Sequence, residues 1–187
     1  MIARLTGRPL GRDEQTLIVD VAGVGYLVSA TRSAMRKARK ADEVSLETYL
    51  HVREDTMHLY GFAEAEEREL FEHLLSVSGV GPKVALAIVS GSAPAELRQA
   101  IAVEDTARFQ AIPGIGKKTA QRVVLELKEK LGDDGVPLPA PSAKEDVIAR
   151  EALIELGYSM AEAERALGET DPDLPPEERV RRALQAA

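Results

Sequence analysis

The spacing of apolar residues divides the chain into stretches of different character. Over residues 1–62 apolar positions alternate or run in short blocks: ARLTGRPL, TLIVDVA, GYLVSAT, VSLETYLHV and MHLYGF. Turn signals separate them at Arg12-Asp13-Glu14, Ala22-Gly23-Val24-Gly25 and Glu54-Asp55. Such blocks predict five short strands, which suit a small closed barrel of the OB type. From residue 64 the spacing changes to the threes and fours of amphipathic helices. EAEERELFEH (64–73) starts one helix, and Ser92-Ala93-Pro94 caps another that runs to about Ala102. Asp105 opens a third, and a long helix from about Lys117 stops at Gly132. This middle part is all α. Residues 133–143, DDGVPLPAPSA, lose the period and read as a semi-extended, flexible linker. Residues 144–187 predict three short helices: one lined by Val147, Ile148, Leu153, Ile154 and Leu156, one opened by the capping box Ser159-x-x-Glu162, and one started by Pro175-Pro176-Glu177. The fold class is thus multi-domain β plus α, divided as 1–63, 64–132, the linker, and 144–187.

The turn between the last two strands implies a register. With Glu54-Asp55 as a two-residue turn, Val52 pairs with Met57, His51 with His58 and Leu50 with Leu59. One face, Leu50, Val52, Met57 and Leu59, is expected in the core. The other, Tyr49, His51, His58 and Tyr60, is expected to be exposed or at an interface. Two facing histidines invite a metal, but no third ligand is in view, and surface histidines are the commoner outcome.

Inside the helical part a sixteen-residue unit occurs twice. LLSVSGVGPKVALAIV (74–89) and FQAIPGIGKKTAQRVV (109–124) align at an offset of 35. Gly79 matches Gly114, Gly81 matches Gly116, and Lys83 matches Lys118. Val80 and Ile115 stand between the paired glycines. Each copy is a helix, a glycine–apolar–glycine turn and a second helix, the sequence form of a helix-hairpin-helix. The second helix opens with N–H groups that have no intrahelical acceptor, at the positive end of its dipole. That is an anion site, and Lys83, Lys117, Lys118 and Arg122 add charge to it. Such a turn holds the sugar-phosphate backbone and reads no bases. GIGKKT also resembles the end of a P-loop, but Ala111 stands where the first glycine belongs and an extra Lys precedes Thr119. No nucleotide site is expected.

Composition narrows the classes. The chain has 187 residues, no cysteine and a net charge of −7. Disulfide frameworks and thiolate metal sites are excluded. No apolar run approaches membrane length, and a cytoplasmic protein is expected. A net negative charge is unusual for a DNA binder, but the acids are concentrated in residues 135–187, which carry 11 Asp/Glu against six Lys/Arg. That acidic appendage is better suited to docking a protein. The segment SAMRKARKAD (33–42) carries Arg36, Lys37, Arg39 and Lys40. A basic run of this kind is more often a solvated face than a binding site, unless other DNA-binding features adjoin it.

The whole chain resembles the RuvA family, the Holliday-junction-binding subunits of bacterial branch-migration machinery. The motifs that carry the resemblance are MIARLTG, VAGVGY, VREDTMHLYGF, SGVGPKVALAIVSG and IPGIGKKTAQRVVLELK. The resemblance implies a homotetramer or a pair of tetramers holding a four-way junction, in homologous recombination and repair. It implies an acidic pin at the crossover, which falls on Glu54 and Asp55, with Arg53 beside it as a DNA contact. It implies that the C-terminal part binds RuvB, a hexameric ATPase, for which Leu153, Leu156, Tyr158 and Leu184 are the expected apolar patch. It admits the RuvC resolvase as a further partner, and it implies no cofactor, no metal and no catalysis by this chain. Two other readings stand beside it. IPGIGKKTAQRVV also resembles the hairpin of DNA glycosylases, which need a catalytic Asp downstream on the helical scaffold, whereas Asp133 and Asp134 here lie at the linker and the β N-terminus does not suit a glycosylase. The hairpins alone would also suit a general DNA-tethering module.

Overall fold

The computed structural model describes residues 1–11, 13, 15–131 and 141–186. The alternating blocks form β1 (Arg4–Pro9), β2 (Thr16–Val21), β3 (Val24–Ala30), β4 (Val44–Val52) and β5 (Met57–Phe62). They close into a barrel in the order β1-β2-β3-β5-β4, with β4 returning to β1. Neighbours are antiparallel except β3 and β5, which run parallel. A parallel pair needs a crossover, and α1 (Arg32–Ala38) with β4 supplies it. Inward positions of the alternation fill the barrel: Leu5, Leu17, Val19, Val28, Leu46 and Leu59 are buried together. A Cβ on Gly7 would lie 2.2 Å from the Asp20 carbonyl oxygen, so only glycine lets β1 and β2 cross there. This is the expected OB-like barrel.

Packing divides the chain into two compact units, Met1–Pro94 and Ala95–Ala187. In the first, α2 (Ala65–Leu75) lies on β4 and β5, and α3 (Pro82–Gly91) lies on α2 and α1. The Phe71 ring of α2 meets Tyr49, Tyr60 and Phe62 at centroid distances of 5.4, 5.2 and 5.0 Å. Glu67 fastens the same helix. It is 6% exposed and accepts from the Thr31 hydroxyl at 3.0 Å, from the Ala63 N–H at 2.8 Å and from the Ser33 hydroxyl. A carboxylate is tolerated in the interior only with such partners. In the sequence it is one acid among several in a helix start.

The β4–β5 register is as expected, with Leu50 opposite Leu59, His51 opposite His58 and Val52 opposite Met57. The assignment of faces needs correcting. Val52 is 58% and Met57 74% exposed, whereas Tyr60 is buried at 9%. The hairpin extends past the barrel, so its tip has no core to face. Nearer the barrel its outer face is covered by α2.

The second unit begins with α4 (Pro94–Ala102), followed by α5 (Thr106–Gln110) and α6 (Lys117–Leu131), which pack on each other. Helices α7 (Pro141–Glu155), α8 (Met160–Gly168) and α9 (Pro176–Ala186) form a small bundle around Ala149, Leu153, Ala163, Leu167 and Ala183. The capping box at Ser159 and Glu162 is formed. Arg179, 5% exposed, bonds the Asp146 carboxylate and, at 3.1 Å, the Thr170 hydroxyl, tying α9 to α7 and to the end of α8. Helix α7 starts three residues inside the segment read as linker, and proline is tolerated in a first helical turn. The rest of that linker, to residue 140, lies outside the described residues. Among the described residues no helix is long and apolar enough to cross a membrane.

Among the described residues the bundle meets the hairpin of this unit at Asp105 and Thr106. Asp105 caps α5 by accepting from the Arg108 N–H at 3.1 Å, and it also pairs with the Arg150 guanidinium of α7. Their side chains are 4% and 11% exposed. Beside them the Thr106 hydroxyl donates to Glu151 at 3.3 Å.

Candidate nucleic-acid interface

The repeated sequence folds into a repeated backbone. In the first copy α2 leads through a tight turn to α3; in the second, α5 leads to α6. The N–H of Val77 donates to the Leu74 carbonyl at 3.1 Å, and that of Ile112 to Phe109 at 3.2 Å. Val80 donates to Val77, and Ile115 to Ile112, both at 3.1 Å. Gly79 has φ +89° and Gly114 has φ +91°. The residues between the glycines plug inward, Val80 at 6% and Ile115 at 5% exposure. Every equivalence lies at the offset of 35.

The start of the second helix is where the turn becomes useful. The first helical bond runs from Ala85 N–H to Gly81 at 2.9 Å in one copy and from Ala120 N–H to Gly116 at 3.0 Å in the other. The amides of Lys83 and Val84, and of Lys117, Lys118 and Thr119, therefore precede the first intrahelical acceptor. Gly81, the N-cap of α3, offers no side chain to satisfy them.

The four turn glycines divide into two kinds. Gly79 and Gly114 are held at positive φ, where a side chain would be strained. Gly81 and Gly116 are not at positive φ, and a Cβ built on either meets nothing within 4 Å. Nothing in the chain's own fold demands glycine at those two positions. Each directly precedes the amides that come before the first intrahelical acceptor. The distinction predicts that Gly114→Ala destabilises the fold by about 1–3 kcal/mol. Gly116→Ala should stay within about 0.5 kcal/mol of the parent. Denaturant midpoints of the two variants check the contrast.

Lys83, Lys117, Lys118 and Arg122 are all exposed around these turns. The copies are unequal in charge. Pro82 stands where the second copy has Lys117, and Ala87 where it has Arg122. The first turn thus carries one cation from its own helix and the second carries three.

At the tip of the β4–β5 hairpin the Arg53 N–H donates to the Thr56 carbonyl at 2.8 Å, closing the turn over Glu54 and Asp55. Residues 52–58 are exposed throughout, so both carboxylates project into open space. The Arg53 Nε donates to His51 Nε2 at 3.1 Å. That occupies one of the two imidazole nitrogens a metal could use, and among the described residues no group of three or more His, Cys, Asp or Glu could hold one. Burial raises the Tyr60 phenol above its usual range, with Arg53 pulling weakly the other way.

In the C-terminal bundle Leu156 is 61% and Leu184 42% exposed, and Tyr158 is half-buried against the bundle core. Leu153 needs correcting: it is fully buried between α7, α8 and α9, and so belongs to the core rather than to a surface patch. Ile148, 57% exposed on α7, is an apolar surface residue that the periodicity had assigned inward. Asp133 and Asp134, the acids considered for a glycosylase, lie outside the described residues.

Family models match along most of the chain. The RuvA N-terminal domain matches residues 1–61, the SAM-like helix-hairpin-helix tandem residues 71–129, and the RuvA C-terminal domain residues 149–187. Relatives named Holliday junction branch migration complex subunit RuvA align over nearly the full length. The one from Thermobifida fusca is 46% identical over 89% of this chain and 86% of its own length. That from Rubrobacter xylanophilus is 44% identical over 100% and 96%, and that from Chloroflexus aggregans 45% over 99% and 97%. Barrel, paired hairpins and terminal bundle are matched in the same order by one set of relatives, and the chain belongs to the RuvA family.

Proposed function

We propose that this chain is the DNA-holding subunit of a branch-migration complex. It grips a four-way junction through the backbone amides and lysines of its two hairpins, as a homotetramer or a pair of tetramers in the cytoplasm. Glu54 and Asp55 form the pin at the crossover. The chain performs no catalysis; its C-terminal bundle, with Leu156, Tyr158 and Leu184, recruits the RuvB ATPase, and RuvC acts on the same junction. The four-part division at residues 63, 132 and 143 is the functional organisation this assigns. The observation that carries the proposal is the open space at Gly81 and Gly116, which lies where a phosphate would meet the free amides.

The test is a gel shift of a four-way junction against duplex of equal length, with sizing of the free protein. Junction preference and a tetramer or larger assembly are expected; equal affinity for both DNAs would favour a general tethering module. Lys117→Ala with Lys118→Ala should weaken both DNAs together and flatten the dependence of log K on log salt by ~1.8 per protomer engaged. An unchanged slope would mean that these lysines do not touch DNA. A chain ending at Asp134 should still assemble and bind junctions but should fail to stimulate RuvB. Normal stimulation by that shortened chain would remove the bundle as the docking unit.

A further inference from the structure

Helix α1 carries more positive charge than the ion pairs among the described residues engage. Thr31 caps it, and Ala34, Met35 and Ala38 bury its inner face. Outside stand Arg32, Arg36, Lys37, Arg39 and Lys40, all exposed. Lys37 is engaged: its Nζ donates to the Ala63 carbonyl at 2.8 Å and lies 3.3 Å from Glu64. Arg32, Arg36, Arg39 and Lys40 form no ion pair among the described residues. Arg32, Arg36 and Arg39 stand at i, i+4 and i+7, a single column on one face of the helix. Like charges stacked this way work against a helix; Arg36 and Arg39 lie at its C-terminal end, where the dipole offsets part of that cost, while Arg32 in the first turn gains nothing from it. Acids close in sequence are Asp42 and Glu43, and Asp13 lines the same cleft as Arg39.

The position of α1 gives the column a use. The helix packs against α3, the second helix of the first hairpin, in the same compact unit. That hairpin brings only Lys83 to its turn, where the second brings Lys117, Lys118 and Arg122. Seven residues of helix span about 10 Å, the rise of about three nucleotides on one strand at ~3.4 Å each. Guanidinium groups present a planar fork that fits phosphate oxygens, and they stay charged at any working pH.

We propose that Arg32, Arg36 and Arg39 form an auxiliary phosphate-binding column, which holds the backbone of the duplex arm engaged by the first hairpin and supplies the charge that hairpin lacks. The proposal rests on the DNA-holding function above. The full-length chain with Arg32→Gln, Arg36→Gln and Arg39→Gln is titrated with a four-way junction between 50 and 200 mM salt. Three lost phosphate contacts should flatten the log–log slope by ~2.7 per protomer engaged, so the affinity lost across that range shrinks by about 40-fold. The triple Arg→Lys variant should keep the parent slope, since the charge is retained. A slope unchanged by the Gln variant, where Lys117→Ala with Lys118→Ala does flatten it, overturns the column and leaves the hairpins as the grip. A slope that neither set changes overturns the DNA-holding reading itself and the column with it. A Gln variant that binds DNA as the parent does but loses an acidic protein partner also overturns the column.

Discussion

Asp105→Ala is expected to destabilise the second compact unit by about 3–5 kcal/mol, because it strands the Arg150 guanidinium away from water. Arg150 and Asp105 are 11% and 4% exposed at the side chain, and Arg150 Nε has no hydrogen-bond partner among the described residues. The charge therefore has little else to turn to. Glu164 is the nearest alternative, 3.8 Å from Arg150 and itself half exposed. The same substitution removes the cap of α5, worth about 1 kcal/mol by itself. At about 4–8 °C per kcal/mol for a unit of this size, the thermal midpoint should fall by roughly 12 °C or more. Asp105→Asn separates the two causes, since an amide oxygen still caps the helix but no longer neutralises the arginine. Asp105→Leu combined with Arg150→Met should recover most of the loss, as replacing both members of a buried pair often does. A midpoint within a few degrees of the parent for Asp105→Ala would show that the guanidinium reaches water and that the bundle is not fastened there.

The second large effect concerns discrimination between DNA shapes. Glu54→Gln with Asp55→Asn changes an exposed turn closed by a backbone bond, so stability should hold within about 0.5 kcal/mol. On the proposed function, two carboxylates per protomer then cease to repel phosphates at the centre of a fourfold assembly. Two unit charges 4 Å apart interact by ~4 kcal/mol at an effective dielectric of 20, and salt removes the effect beyond ~8 Å. The repulsion is strong but local, and it acts on duplex forced across the centre. Duplex should bind at least about tenfold more tightly in the variant, the junction equally well or better, and the preference between them should fall. The measurement is the ratio of junction to duplex affinity at one salt concentration, for variant and parent. A constant ratio would leave Glu54 and Asp55 as ordinary turn residues.

Much of this architecture is written in local pattern. Strand alternation, the capping box at Ser159 and the doubled turn each depend on residues a few positions apart, and each could be read directly. The β4–β5 register followed from its turn for the same reason. What the pattern lacks is depth. Val52 and Met57 alternate correctly, but period alone does not say that β4, at nine residues against six in β1, outruns the barrel. Leu153 lies on α7 and Leu156 just past its end, and the two look alike in the sequence; only the placement of α8 and α9 makes one core and the other surface. Asp105 and Arg150 are 45 residues apart, and nothing short-range marks either as the other's partner. Glu67 was lost among neighbouring acids for the same reason. At the candidate site, the motif named the glycines, but it took the built backbone to separate the two held at positive φ from the two that are not.

The backbone amides of the two turns have a consequence for motion. Phosphates along a strand are chemically identical, so an amide cradle that holds one can hold the next equally well. If DNA passes through such cradles, its energy rises and falls with a period of one nucleotide and has no net slope. On the proposed function sequence adds no deep wells at which the strand would lodge, because a grip on the backbone alone touches no base edge. The resistance a motor meets is then a sliding friction set by how briefly each phosphate dwells, and it is the same on any genome sequence. Strengthening the turns with further lysines would raise affinity and drag together, which sets an upper limit on how basic a useful grip can be.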